Sequence, residues 1–383
     1  MENSEALSLH VVIFDVPYPP DYGGAMDVYY RLKALCDAGF NLVLHVFEYG
    51  RGRPQQLETL GKVNYYVRKK SMRYLFNFRP FIVVSRRNID LLNRLKQDKI
   101  PILFEGIHTT WYLEDPVIRQ RFTMVRTHNI EHDYYRGLIG NAPILKRLFF
   151  WWESIKLKKY EPILRHATWL LAIKPSDATH FKSFNQQTIV IPAVLPLEST
   201  IAKREKTEPF VLFHGNLSVI ENDLGARWII RALDELLTVD FPLVIAGKNP
   251  SQELIRCADG KRIKIFANPD ESEMQNLIAG ARVHALYSDV GSGTKLKFLS
   301  SLSANGHVLV NTAVAGDIPK NEYFHVADDA VSFARVFSTI YDKKLSALEI
   351  AKRREWLQSV FGAKNTVQKI SALFSDEKMR DHH

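Results

Sequence analysis

Cysteine is nearly absent. The 383-residue chain holds two, Cys36 and Cys257, far apart in sequence. They can form neither a disulfide framework nor a metal or redox motif, and they fit a reducing compartment as ordinary core thiols. No apolar run approaches the roughly 20 residues of a membrane-spanning helix. The segment Met1-Glu2-Asn3-Ser4-Glu5 is acidic and leads into a strand-like run, so it does not read as a secretory leader. There is no Gly-x-Gly-x-x-Gly fingerprint, no His-Glu-x-x-His pair, no low-complexity tract and no convincing internal repeat. The expectation is a cytoplasmic protein without a resident cofactor or metal. Acidic residues are scarce in the first half only. Residues 1–207 hold 30 Lys+Arg against 20 Asp+Glu, and residues 208–383 hold 21 against 22. The excess concentrates in residues 51–100, with 13 basic and 3 acidic side chains. Such a face attracts anions, whether nucleic acid, anionic lipid or a phosphorylated acceptor, and an anionic membrane surface at the inner face is one partner it would suit. Nucleic acid is not expected, because no aromatic or helical reading motif accompanies the charge.

What is present is an alternation of apolar strands and amphipathic helices. Strands are predicted at Leu9 to Val16, Asn41 to Phe47, Val63–Val67, Ile100–Phe104, Thr123–Arg126, Thr168–Ile173 and Thr188–Ile191, with a helix of about 14 residues from Ala25. Strand, helix and strand in this order imply a parallel sheet with right-handed crossovers. Residues 192–207 lose periodicity and gain proline and charge, which predicts a linker between a first domain at 1–191 and a second at 208–362. The second series has strands at Pro209–Phe213, Phe241–Ala246, Ile263–Phe266, Val283–Tyr287 and His307–Asn311. A last amphipathic helix in 363–383 is predicted to cross back onto the first domain. The fold class is α/β, two tandem doubly wound Rossmann-like domains, whose ligands are expected in a cleft at the carboxyl ends of the strands.

The strongest local signal is Gly291-Ser292-Gly293-Thr294-Lys295-Leu296-Lys297, between a strand and an apolar-periodic helix. Backbone N–H groups at a glycine-rich helix start, the helix dipole and two lysines make a seat for a phosphorylated ligand. Phe213-His214-Gly215-Asn216-Leu217-Ser218 and Ala246-Gly247-Lys248-Asn249-Pro250 end two strands of the same domain. Gly215 would admit a ligand to the backbone, Asn216 offers donors, and Lys248 can neutralise a diphosphate. In the first domain Gly23 and Gly24 sit in a long loop before a helix. Arg126-Thr127-His128-Asn129-Ile130-Glu131-His132 follows a strand directly, which places His128 for proton or hydroxyl contacts. Lys146-Arg147-Leu148-Phe149-Phe150-Trp151-Trp152 mixes bases with aromatics. It reads as a core-facing helix with a solvated basic edge, or as a helix lying on a membrane surface.

In their order and spacing these motifs, together with Tyr18-Pro19-Pro20-Asp21-Tyr22-Gly23-Gly24, Phe47-Glu48-Tyr49-Gly50 and Leu103-Phe104-Glu105-Gly106-Ile107-His108, resemble the GT-B-fold glycosyltransferases of the family-4 type, above all Bacteroidetes-like bacterial members. The resemblance covers nearly the whole chain. It implies a retaining, metal-independent transferase that takes a UDP- or GDP-linked sugar and serves a glycan or lipid-linked acceptor in surface polysaccharide synthesis. By position, donor contacts would come from Gly215, Asn216, Lys248, Ser292, Gly293, Thr294, Lys295, Lys297 and Ser300. Gly23, Gly24 and Glu131 would lie on the acceptor side. His128, Lys248 and Lys295 would be the catalytic side chains, with His128 orienting and polarising rather than acting as an obligate base. Family members commonly carry two glutamates where this chain has Ser292 and Ser300. That departure leaves Lys248, Lys295 and Lys297 to hold the donor. It also keeps two other readings open: a sugar-nucleotide epimerase of the same fold, and a non-catalytic sugar-nucleotide or glycan-binding protein.

Overall fold

The computed structural model describes residues 7–20, 23–140, 143–195, 208–289 and 296–380. The chain divides into two compact units, Met1–Leu195 with Ala363–His383, and Pro196–Gly362.

Unit 1 is built on seven parallel strands: β1 Ser8–Ile13, β2 Asn41–Glu48, β3 Lys62–Val67, β4 Ile102–Glu105, β5 Thr123–Thr127, β6 Trp169–Ala172 and β7 Thr188–Val190. Their order is β3-β2-β1-β4-β5-β6-β7, so the chain reverses its direction of travel at β1 and β4. Strands rich in Val, Ile and Leu suit this arrangement because helices cover both faces of a parallel sheet. Successive side chains point to opposite faces. Val12, Phe104, Val125 and Leu170 therefore meet Leu91, Leu95, Leu157 and Phe181 on one side. Val11, Leu103, Met124 and Leu171 meet Val28, Leu32, Leu35 and the last helix, Ala363–Arg380, on the other. In that last helix Phe374 packs edge-on against Phe40 and Phe122.

Unit 2 holds six parallel strands: β8 Val211–His214, β9 Leu243–Gly247, β10 Ile263–Ala267, β11 Val283–Leu286, β12 His307–Val310 and β13 His325–Val326, in the order β10-β9-β8-β11-β12-β13. Leu212, Val244 and Ala246 pack on Ile278 and Ala281 at the end of the Glu271–Gly280 helix. Helix starts are closed by side chains: Asp270 with Glu273, and Ser346 with Glu349, form reciprocal capping boxes.

The structure differs from the sequence reading in four places. Residues 192–195 are not linker. Ala193, Val194 and Leu195 are buried in unit 1, and the Pro192 carbonyl and Val194 N–H are gripped by Arg126 and Asp27. The remainder of the expected linker lies outside the described residues. Cys257 is exposed rather than a core thiol, and Cys36 is half-buried. β13, two residues long, carries no pattern that periodicity could detect. The helix Ile144–Tyr160 does not bury its apolar first half: Leu145, Leu148, Trp151 and Trp152 are exposed, while Glu153, Lys156 and Leu157 face the body.

Candidate functional site

In unit 1 the carboxyl ends of β4 and β5 meet the helix Gly23–Asp37, which Gly23 and Gly24 open. Asp27 and Arg31 are one turn apart on the buried stripe of that helix. Arg31 donates to Asp27 at 2.6 Å and to Glu105, the last residue of β4, at 2.5 Å. Arg126 of β5 forks onto both oxygens of Asp27 at 3.1 and 3.2 Å and donates onward to the Ile191 and Pro192 carbonyls. Asp27, Arg31, Glu105 and Arg126 are all buried. Two carboxylates and two guanidinium groups balance, so the core carries no net charge from this set. Burial alone would raise the Glu105 carboxyl, but Arg31 and the hydrogen bond from His128 outweigh it and hold it below the usual carboxylate range. Asp27 is likewise held down, against burial, by Arg126 and Arg31.

His128 stands at the rim of this network. Its Nε2 lies 3.1 Å from Glu105 Oε2, and its Nδ1 lies 3.9 Å from Asp27. Since Glu105 is ionised it can only accept, so Nε2–H donates and the ring is held by its far nitrogen. The Phe14 ring meets it edge-on at 5.3 Å and stacks on His108 at 5.0 Å. Burial and the nearby Arg86 charge push His108 well below its usual value, so it is neutral. His128 is thus fixed at a strand end by a buried carboxylate, the arrangement that orients an imidazole for contact with a ligand.

His132, four residues on, belongs elsewhere. Its Nδ1 lies 2.7 Å from Glu161 Oε1, and His180 Nε2 lies 3.0 Å from Glu161 Oε2. Among the described residues His132, Glu161 and His180 are the one group of such side chains compact enough to hold a metal ion, with ligand atoms within 4.8 Å of one another. Glu161 bridges the two rings through one nitrogen of each, and the other nitrogen of His132 lies 3.3 Å from Asp133. Glu131 is buried beside this group. Burial, with the charges of Glu161 and Asp177, raises its carboxyl to about 7 despite a hydrogen bond from Asn129.

In unit 2 the carboxyl ends of β8, β9 and β11 carry the second group. Lys297, in the first turn of the helix Leu296–Ser303, donates to Asn222 Oδ1 at 2.7 Å and lies 5.2 Å above the Phe213 ring. Asn222 Nδ2 donates to the Asn216 carbonyl at 2.8 Å, and Asn216 Oδ1 accepts from Ser218. Gly215 lies against Asn222: a Cβ there would sit 3.3 Å from its amide. Gly215, Asn216 and Lys297, singled out in the sequence, are therefore brought together, with Asn222 as their unforeseen link. Lys248 follows β9 and is exposed. The strand ends approach so closely that a Cβ on Gly247 would lie 1.8 Å from the Gly215 carbonyl oxygen. Ser300 turns its hydroxyl onto the Lys297 carbonyl of its own helix at 3.0 Å. Ser301 does the same at 2.9 Å and is paired with His214 Nε2 at 3.0 Å. Burial and the Lys297 charge lower His214 to about 3, so its ring is neutral. Ser292, Gly293, Thr294 and Lys295 lie outside the described residues.

Sequence reasoning missed Asp27, Arg31 and Asn222 as site residues. A signal for the first two exists: an Asp and an Arg four apart on the apolar stripe of a helix demand buried partners. Asn222 has no such mark.

No family model matches the chain. It is 26% identical over 363 residues, 88% of this chain and 92% of the other, to an uncharacterised 44.6 kDa protein in the cps region of Klebsiella pneumoniae. That relative gives no support to a tie with Bacteroidetes-like members in particular. Among solved structures it is similar to a glycosyltransferase from Rickettsia africae, with TM-score 0.65, 13% identity, and 97% of this chain and 98% of that one covered. It is also similar to the Anabaena HepE protein in complex with UDP and glucose, with TM-score 0.64, 12% identity, and 96% and 99% covered. A UDP-forming trehalose-phosphate synthase from Burkholderia xenovorans, bound to glucose-6-phosphate, matches with TM-score 0.62, 12% identity, and 98% and 99% covered. Two Rossmann-like parallel sheets with alternating helices are the α/β fold of the GT-B glycosyltransferases, and this protein has it.

Proposed function

We propose that the protein is a retaining, metal-independent glycosyltransferase that moves a sugar from a UDP- or GDP-linked donor to a glycan or lipid-linked acceptor in surface polysaccharide synthesis. The donor belongs to unit 2 and the acceptor to unit 1. The reaction takes place in the cytoplasm, with the basic first unit against the inner face of the membrane. One observation carries the reading: Lys297, Asn222, Asn216 and Gly215 converge at the carboxyl ends of parallel strands, where ligands of such sheets bind. The UDP complexes of the fold neighbours and the relative in a capsule (cps) region support it.

The chemistry follows from charge. As the anomeric C–O bond breaks, the leaving nucleoside diphosphate gains negative charge. Cations and N–H dipoles aimed there stabilise the transition state more than the ground state. Lys297 supplies one such cation, and Lys248 and Lys295 would supply others. In a front-face transfer the departing phosphate takes the acceptor proton, so His128 orients and polarises the sugar without acting as the base. Ser300, with its hydroxyl spent on its own helix, favours one second reading, a sugar-nucleotide-binding protein that does not transfer. A thermal-shift screen of UDP- and GDP-sugars followed by product analysis separates the two, because a ligand of the native state raises its apparent stability. A shift with a glycosylated product supports transfer, a shift without any product supports the second reading, and no shift with any nucleotide sugar defeats both. Epimer formed from donor alone would mean an epimerase.

A further inference from the structure

The helix Ile144–Tyr160 carries an apolar stripe that no described residue of unit 1 covers. Ile144, Leu145, Leu148, Trp151 and Trp152 fall at the i, i+1, i+4, i+7 and i+8 spacing of one helix face, and all five are exposed, Ile144 by 82% and Leu145 by 86%. The opposite face holds the helix to the body. Phe149 packs on Phe81, and Phe150 on Tyr135. Glu153 accepts the Phe81 N–H at 2.7 Å, and Leu157 is in the core.

A second exposed apolar element lies beside it. Phe76, the last residue of the short turn Met72–Phe76, is 88% exposed, and Phe78, two residues on, is 97% exposed. Lys156 ties that segment to the helix by donating to the Leu75 and Asn77 carbonyls at 3.2 and 3.4 Å. The residue between the two phenylalanines is thus anchored to Lys156, which stands one helical turn on from Trp152. A stripe of this size, with two protruding rings beside it, is too apolar to be left in water without a purpose.

The charge around the patch selects what covers it. Residues 68–79 contain five bases, Arg68, Lys69, Lys70, Arg73 and Arg79, and residues 144–152 contain two, Lys146 and Arg147; neither segment contains a carboxylate. Arg79 is ion-paired with Glu114 and Arg68 is half-buried against Tyr49 and Phe81, but Lys69, Lys70, Arg73, Lys146 and Arg147 are exposed. Five exposed bases in the two segments that carry the apolar side chains and paired tryptophans match a bilayer interface, where anionic headgroups meet the bases and acyl chains receive the apolar side chains. A second copy of the chain would bring the same five exposed positive charges against these. No described helix is long and apolar enough to cross a membrane, so the element would lie on the surface rather than span it.

We propose that the first half of the Ile144–Tyr160 helix, with Phe76 and Phe78, is a membrane-insertion face that docks unit 1 on an anionic lipid bilayer. The inference deepens the acceptor side of the function proposed above and rests on that reading for its purpose. Its test needs no sugar nucleotide, so its failure removes the membrane placement and leaves the donor-site reading standing, and failure of donor binding leaves the membrane face standing. The full chain is sedimented with phosphatidylcholine vesicles, with and without phosphatidylglycerol, at low and high salt. Vesicles with brominated acyl chains report the depth of the tryptophans by fluorescence quenching. Wild type binds the anionic vesicles, releases partly at high salt, and is quenched. The variant Leu145→Glu/Leu148→Glu, which alters only exposed side chains, keeps the wild-type melting temperature and binds about tenfold or more weakly. Three results overturn the proposal: no binding to anionic vesicles at low salt, equal binding of the charged variant, or equal affinity for vesicles lacking phosphatidylglycerol. A concentration-dependent dimer that the same variant abolishes, with no vesicle binding, assigns the face to a second copy instead.

Discussion

Replacing Glu105 by Gln should be among the most damaging isosteric changes in unit 1. The carboxylate is completely buried, receives Arg31 at 2.5 Å and His128 at 3.1 Å, and helps balance two guanidinium groups that are themselves buried. The amide keeps the shape and loses the charge, leaving Arg31 and Arg126 to share Asp27 alone. Breaking a buried pair from one side costs about 3–5 kcal/mol, against about 0–1 kcal/mol for a surface pair. For a domain of this size that corresponds to a fall of roughly 10 °C in melting temperature. Because much of the cost is the stranded partner, Arg31→Met combined with Glu105→Leu should be milder than the two single changes added together, by about 2 kcal/mol or more. Urea unfolding of the two singles and the double, at one pH and salt, measures the cycle. Single variants costing under about 1 kcal/mol, or costs that simply add, would refute the view that this network is closed and mutually compensating. The pH dependence has a definite sign. Glu105 and Asp27 have folded values below their unfolded ones, so their contribution is present above the ordinary carboxylate range and is lost as pH falls through the lowered values.

Three other outcomes can be checked directly. Glu131, raised to about 7, has the opposite sign: its burial costs nothing below the ordinary carboxylate value and progressively more as pH rises toward 7. Glu131→Gln should therefore be stabilised relative to wild type at pH 8 by about 3 kcal/mol and much less at pH 4, read from urea midpoints at both values; an equal difference at the two pH values would refute it. Gly247→Ala forces a Cβ to 1.8 Å from the Gly215 carbonyl, so the ends of β8 and β9 must part. It should cost about 1–3 kcal/mol and weaken nucleotide-sugar binding, whereas unchanged calorimetric affinity would separate Gly215 from the ligand. Treatment with a chelator should leave transfer intact under the metal-independent reading, and activity restored only by added divalent ions would contradict it.

The parallel strands were legible where the chain buries both faces of a sheet. Val11-Val12-Ile13 and Leu243 to Ala246 are continuous apolar runs between loop signals, and they fall on β1 and β9. Direction was lost where a pattern is local and its meaning is not. The stretch from Ile144 to Trp152 shows an amphipathic helix but not which face meets the body, because that depends on Phe81 and Tyr135, remote in sequence. Pro192 to Leu195 looked like linker for the same reason: the backbone there is held by Asp27 and Arg126, and no periodicity records a side chain reaching a carbonyl across the fold. His128 was legible because it directly follows an apolar strand, while its partner Glu105 ends a different one. In unit 2 Gly215, Asn216 and Lys297 were readable as loop and helix-start chemistry, but Asn222, which joins them, is one polar residue in a helix among many.

The measurement that bears most directly on the proposed donor site is calorimetric titration of UDP- and GDP-sugars into wild type, Lys297→Ala and His128→Ala. Loss of a charge-assisted contact to a diphosphate should weaken binding about 10- to 100-fold in Lys297→Ala. His128→Ala should bind the donor nearly as wild type does and lose transfer. If no nucleotide sugar binds wild type, or if Lys297→Ala binds as tightly as wild type, unit 2 does not hold its donor where the geometry of Gly215, Asn216, Asn222 and Lys297 puts it.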